Sequence, residues 1–265
     1  MTNYLTKDEK DISKEFLETG FIIKKVKNKE LLDRVQFKII EIIEASDITI
    51  KVDKTEWLNN IHKSLSINLL NEFRLNIINQ INSDSEFKKL YFEIARPYLE
   101  TLVGNELAMQ KRINLSIQLP NDDSSLLPVH ADTWAGDSAY EVVAWIPLVD
   151  CFKTKTMFIL PQNKIEQLHN NFKNIAGDNV EELFQNIKKD IIWLNISYGE
   201  ILLFNQSLPH GNRVNVEKET RWSMNCRFKG IFTPYADKKL GEFFEPVTLR
   251  AASQIGMNYK MPKIK

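Results

Sequence analysis

At 265 residues the chain has room for one large domain with a sizeable core. Lys plus Arg equals Asp plus Glu at 35 each, so the formal net charge is zero, which argues against a dedicated nucleic-acid binder. Hydrophobic residues make up 43% and charged residues 26%, and only two cysteines occur, so a core rather than a disulfide framework is expected to hold the fold. The first ten residues are polar and lack the apolar core of a signal peptide, and the most apolar stretch, 142–152, is broken by Pro147 and Asp150. These features point to a cytoplasmic protein with free thiols and no membrane span.

In chain order, Thr6 with Glu9 forms a capping-box pattern, and Gly20 stands where the helix it opens would stop. Residues 20–26 read as a short strand. Asn28 can cap the next helix, which places Leu31, Leu32, Val35, Ile39, Ile42 and Ile43 on one face. Further helices are predicted over 66–81 and over 85–102, the second with a kink at Pro97. From Met109 the period changes to two: Ile113, Leu115, Ile117 and Leu119 alternate with Arg112, Asn114, Ser116 and Gln118. Short strands follow at 140–146, 156–160, 191–196, 200–204 and 221–231, interrupted by a polar, mostly helical insertion over 163–189. Helices first and strands second give an α+β class, with enough short strands for a sandwich or barrel. We read one domain over 1–265: a helical part to 105, a strand-rich core over 106–235 and a tail over 236–265.

The chemistry sits in three places. In extended backbone His130 and Asp132 project from the same face and can meet one metal ion. His210, just after the strand 200–204, is the best third ligand. Two imidazoles and one carboxylate on a triangular face leave positions open for a co-substrate and oxygen, as in Fe(II) oxygenases. On the strand from Arg221, the residues Arg221, Ser223, Asn225 and Arg227 share one face, while Trp222, Met224, Cys226 and Phe228 share the other. Arg221 with Ser223 makes a carboxylate clamp, because a planar guanidinium grips a carboxylate through two donors.

This order of H-x-D, distant His and then Arg resembles the phytanoyl-CoA dioxygenase-like group of 2-oxoglutarate/Fe(II) oxygenases, across about 112–232. Segments 127–150 and 242–250 are similar to the sporadic carbohydrate cluster oxygenases within it. The resemblance implies a double-stranded β-helix (a jelly-roll, cupin-like core) with N-terminal helices packed on one sheet. It also implies that Fe(II), 2-oxoglutarate and O2 hydroxylate a sugar, nucleotide sugar or surface-polysaccharide precursor, yielding succinate and CO2. A lipid, a small natural product or a non-catalytic binding role are the alternatives, and oligomeric state stays open. One departure stands out: Pro161-Gln162-Asn163-Lys164 replaces the family's Pro-Gly-Ser-His.

Around these positions, Asn114 and Gln118 are candidate co-substrate contacts if the polar face of their strand lines a cavity, and ordinary solvated residues if it does not. Lys155 and Thr156 are further candidates. Trp134, Asp137 and Tyr140 follow the H-x-D pair and would rim an entrance to contact substrate, although Trp134 suits packing equally well. His62 and His169 read as surface residues.

Overall fold

The computed structural model describes residues 4–46, 48 and 52–263. The local signals act where the sequence places them. Helix α1 (Lys7–Thr19) opens on the reciprocal Thr6–Glu9 capping box and ends at Gly20, whose φ of 80° favours glycine. Strand β1 (Phe21–Lys25) leads to α2 (Lys29–Glu44), which Asn28 caps through the Glu30 N–H and which buries Leu32, Val35, Ile39 and Ile43. The one-turn α3 (Trp57–Asn60) precedes α4 (Ile67–Ser83) and α5 (Ser85–Leu102), and α5 continues past Pro97 to its expected end.

Strands then dominate. They are β2 (Leu107–Gln110), β3 (Asn114–Gln118), β4 (Glu141–Pro147) and β5 (Phe158–Ile159). The insertion holds α6 (Gln162–Asn170), α7 (Phe172–Ala176) and α8 (Val180–Ile187). After it come β6 (Ile192–Trp193), β7 (Glu200–Asn205), β8 (His210–Gly211), β9 (Arg221–Gly230), β10 (Phe244–Pro246) and α9 (Ala251–Asn258).

The strands build two antiparallel sheets. The larger runs β1-β7-β4-β9-β2-β10, with β3 also on β9, and the smaller runs β6-β5-β8. The single alternating run expected from Met109 is in fact two strands. Asn82 of α4 takes both backbone groups of Ile113, accepting from its N–H at 2.8 Å and donating to its carbonyl at 2.9 Å, so the ladder breaks there. As a result β2 pairs with the end of β9 and β3 with its beginning.

The long strand β9 divides core from cavity. On one face Trp222, Met224, Cys226 and Phe228 are fully buried among the helices. Phe73 meets Trp222 edge-on at 6.1 Å, Tyr91 stacks on Phe228 at 6.5 Å, and the Trp222 indole N–H donates to the Leu58 carbonyl at 2.8 Å. Burial of each such ring stabilises the fold by roughly 2–3 kcal/mol. With that face committed to the helices, the period of two forces Arg221, Ser223, Asn225 and Arg227 to the opposite side of the sheet. Among the described residues no helix is long and apolar enough to cross a membrane.

Candidate metal centre

His130 and His210 sit directly opposite one another. Each donates its backbone N–H to the other's carbonyl, at 3.0 Å and 2.8 Å, which makes them an antiparallel cross-strand pair with both rings on one face. The ring centroids are 4.3 Å apart. Gly211 permits the approach of the neighbouring segment, because a Cβ there would lie 2.7 Å from the Leu127 carbonyl oxygen.

Both imidazoles have a defined tautomer. Nδ1 of His130 lies 2.8 Å from the Pro128 carbonyl, and Nδ1 of His210 lies 2.8 Å from the Leu208 carbonyl. A carbonyl only accepts, so each Nδ1 carries the proton and each Nε2 offers a lone pair, the arrangement metal-bound histidines adopt. Burial, helped by the neighbouring His130, holds the pKa of His210 down at about 4, so this imidazole is neutral near pH 7.

Asp132 joins them by a route that differs in detail from continuous extended backbone. Ala131 is extended, but Asp132 already begins a 3-10 turn, Asp132–Ala135. The extended residue before it still aims the carboxylate to the imidazole side, and Oδ1 lies 3.6 Å from His130 Nε2. One ligand atom from each of His130, Asp132 and His210 lies within 4.8 Å of the others. An ion about 2.1 Å from each would draw them to about 3 Å, a change within the reach of side-chain rotation.

The three residues line a cavity of about 320 Å³. Its wall mixes apolar Leu127, Val143, Trp145, Met157 and Phe204 with polar Asn114, Ser116, Asn212, Asn225, Arg221 and Arg227. Among the described residues the buried Arg221 guanidinium has no anionic partner: Nη1 donates to the Thr156 carbonyl at 3.0 Å, Nη2 to Ser116 Oγ at 2.8 Å, and Nε to none of them. Burial lowers its pKa to about 10. Close by, Ser223 Oγ, Thr156 Oγ1 and Gln118 Oε1 are also buried with no hydrogen-bond partner among the described residues. Ser223 faces Ser116, and Gln118 faces Arg221, in the strand register. A buried cation beside unpaired hydroxyls is a receptor for an anion with several acceptor oxygens, such as a carboxylate.

Asn114 lines the cavity and donates to Asn225 Oδ1 at 3.0 Å. Gln118 does not line it, and its amide N–H donates to the Arg213 carbonyl at 2.7 Å. Trp134 also lies outside the lining and meets Phe172 of α7 edge-on at 5.4 Å. Asp137 is buried, its carboxylate occupied by Lys238 and by Arg227 Nε at 3.4 Å. Asp137 therefore lies beneath the surface in ion pairs and does not rim an entrance as expected, while Trp134 packs against the insertion and stays part exposed. Lys155 is likewise fully buried, bound to Asn59 and Glu219 at 2.8 Å and 2.6 Å. His62 is half-buried and 2.9 Å from Thr220 Oγ1, so only His169 is an exposed residue as expected.

Arg227 is the site residue that motif reasoning passed over. Its Nη2 lies 2.8 Å from Asp132 Oδ1. The only signal for it was its place on the same strand face as Arg221.

No family model matches the chain, and no curated protein matches it. Solved structures do. The nickel complex of the non-heme monooxygenase ThoJ superposes with a TM-score of 0.56 at 14% identity, covering 90% of this chain and 84% of that one. AviO1 from Streptomyces viridochromogenes Tue57 gives a TM-score of 0.55 at 14% identity over 88% and 99% of the two chains. The epimerase SnoN in complex with Fe3+, alpha ketoglutarate and nogalamycin RO gives 0.52 at 13% identity over 86% of each. The chain shares their fold. It is a fold of helices and antiparallel sheets that houses a non-heme monooxygenase in ThoJ and an epimerase in SnoN.

Proposed function

We propose that this protein is a 2-oxoglutarate- and Fe(II)-dependent oxygenase in which His130, Asp132 and His210 hold the iron. In this reading Arg221, with Ser223 beside it, binds the far carboxylate of 2-oxoglutarate. The observation that carries it is the convergence of two Nε2 lone pairs and a carboxylate oxygen in a cavity whose wall also presents a buried guanidinium without an anion. Fe(II) bound there would supply the redox chemistry that couples loss of CO2 from 2-oxoglutarate, with succinate formation, to oxidation of a substrate by O2.

The residues of the chain divide the remaining work. The Pro128 and Leu208 carbonyls hold the imidazoles in the ligating tautomer. Arg221 orients the co-substrate from the cavity wall, and Asn114 with Asn225 offers amide contacts beside it. Val143, Trp145, Met157 and Phe204 exclude water from the same space.

The finer assignments follow the same reading. The strand order β3-β9-β4-β7 in one antiparallel sheet and His130-β8-β5-β6 in the other supports a double-stranded β-helix made as one domain. The similarity of 127–150 and 242–250 to carbohydrate-cluster oxygenases supports a sugar or sugar-derived substrate. A small natural product is the second reading, favoured by the likeness in fold to SnoN with its bound nogalamycin RO.

Anaerobic addition of Fe(II) and 2-oxoglutarate should produce a weak metal-to-ligand charge-transfer band in the wild type and none in His210→Ala. The same spectrum from both proteins would remove the assignment.

A further inference from the structure

Of the three candidate ligands, Asp132 is the one that cannot orient itself. Each imidazole is fixed by a carbonyl two residues before it. Asp132 stands where extended backbone gives way to a 3-10 turn, and its side chain depends on a residue from another strand.

That residue is Arg227 of β9, with Nη2 2.8 Å from Asp132 Oδ1. The guanidinium is itself anchored without Asp132. Nε donates to Gln206 Oε1 at 2.8 Å, Nη1 donates to Gln110 Oε1 at 3.2 Å, and Asp137 Oδ1 lies 3.4 Å from Nε. Gln206 is held in turn by Glu141. Three elements thus fix the guanidinium plane: β2, the turn between β7 and β8, and the loop after Asp132. Nη2 is the nitrogen that faces the Asp132 carboxylate.

We propose that Arg227 is the positioning residue of the metal centre. It points Asp132 Oδ1 at the space shared with the two Nε2 atoms and occupies one lone pair of that oxygen. The inference rests on the metal-centre reading above. The competing role, a cation that merely stands in for the ion and is displaced by it, predicts the opposite sign: losing Arg227 would then remove repulsion and tighten metal binding. The geometry favours positioning, because the guanidinium is pinned by Gln206, Gln110 and Asp137 and has no need of Asp132 to stay in place.

The test is Co(II) titration of the full chain without 2-oxoglutarate, followed by calorimetry and by the visible d–d spectrum. Arg227→Met should weaken Co(II) binding by about 10- to 100-fold, the usual effect of losing a residue that orients a metal ligand. Arg227→Lys, which keeps the charge and loses the fork, should fall between the two and alter the d–d bands, a change that a purely structural role would not produce. Unchanged or tighter binding in a folded Arg227→Met protein overturns the proposal. If that variant does not fold, Arg227→Lys decides: wild-type affinity and an unaltered spectrum overturn it, and weaker binding with altered bands supports it. Failure of the underlying reading looks different, because the wild type would then bind no Co(II), or His210→Ala would bind it equally well.

Discussion

Arg221 is a buried cation with no counter-charge among the described residues, and replacing it by methionine tests what it is kept for. Its pKa falls from 12.5 to about 10 through burial, which corresponds to a cost of about 3 kcal/mol for holding the charge inside. Arg221→Met removes that cost and forfeits two hydrogen bonds, to Thr156 and Ser116, each worth about 1.5 kcal/mol because the donor is charged. The variant is therefore expected to lie within about 1 kcal/mol of the wild type in stability, on either side. A buried charge that loses a true ion-pair partner costs about 3–5 kcal/mol instead. Urea denaturation followed by tryptophan fluorescence measures the difference. The second arm adds Mn(II) and 2-oxoglutarate, which at a hundredfold excess over the dissociation constant should stabilise the wild type by about 2.7 kcal/mol. Arg221→Met should lose the part of that response due to 2-oxoglutarate. A variant that loses more than about 3 kcal/mol yet responds to 2-oxoglutarate like the wild type would show that the guanidinium is structural.

Two further outcomes follow from buried groups near the site. Burial, reinforced by Asp137, raises Glu141 to about 7 from 4.5, so the fold favours its protonated form and loses stability as pH rises through that window. The stability of Glu141→Gln relative to the wild type should therefore improve by up to about 3 kcal/mol between pH 4.5 and pH 8, and a pH-independent difference in urea midpoints would contradict this. Cys151 and Cys226 are fully buried; burial pushes the first thiol up to about 12 and the second upward as well. Neither should react with iodoacetamide in the native protein and both should after unfolding, so rapid labelling of the folded chain would mean that the β9 face is not packed as described.

Much of the fold was legible because its signals are local. The capping box at Thr6, the stop at Gly20 and the apolar stripe of α2 each act within one or two turns, and each forms where it was expected. The alternation on β9 likewise separates a helix-facing side from a cavity-facing side, as its period of two requires. The run after Met109 misled because its break lies in Asn82, a residue from α4 that captures the Ile113 backbone. Strand β8 was missed because its two residues are a strand only by virtue of their partners. Asp137 was misplaced for a related reason: a carboxylate that looks free in sequence is buried between Arg227 and Lys238.

The residue types on offer, and the face of strand or helix that each one shares, can be read along the chain. Those are properties of neighbours along the chain, set by backbone geometry. The pairing of His210 with His130, the burial of Arg221 with no anion beside it among the described residues, and the reach of Arg227 to Asp132 appear only in the folded chain. Such pairings depend on the register between strands distant in sequence, and register is set by the packing of the whole core, so no local pattern encodes it.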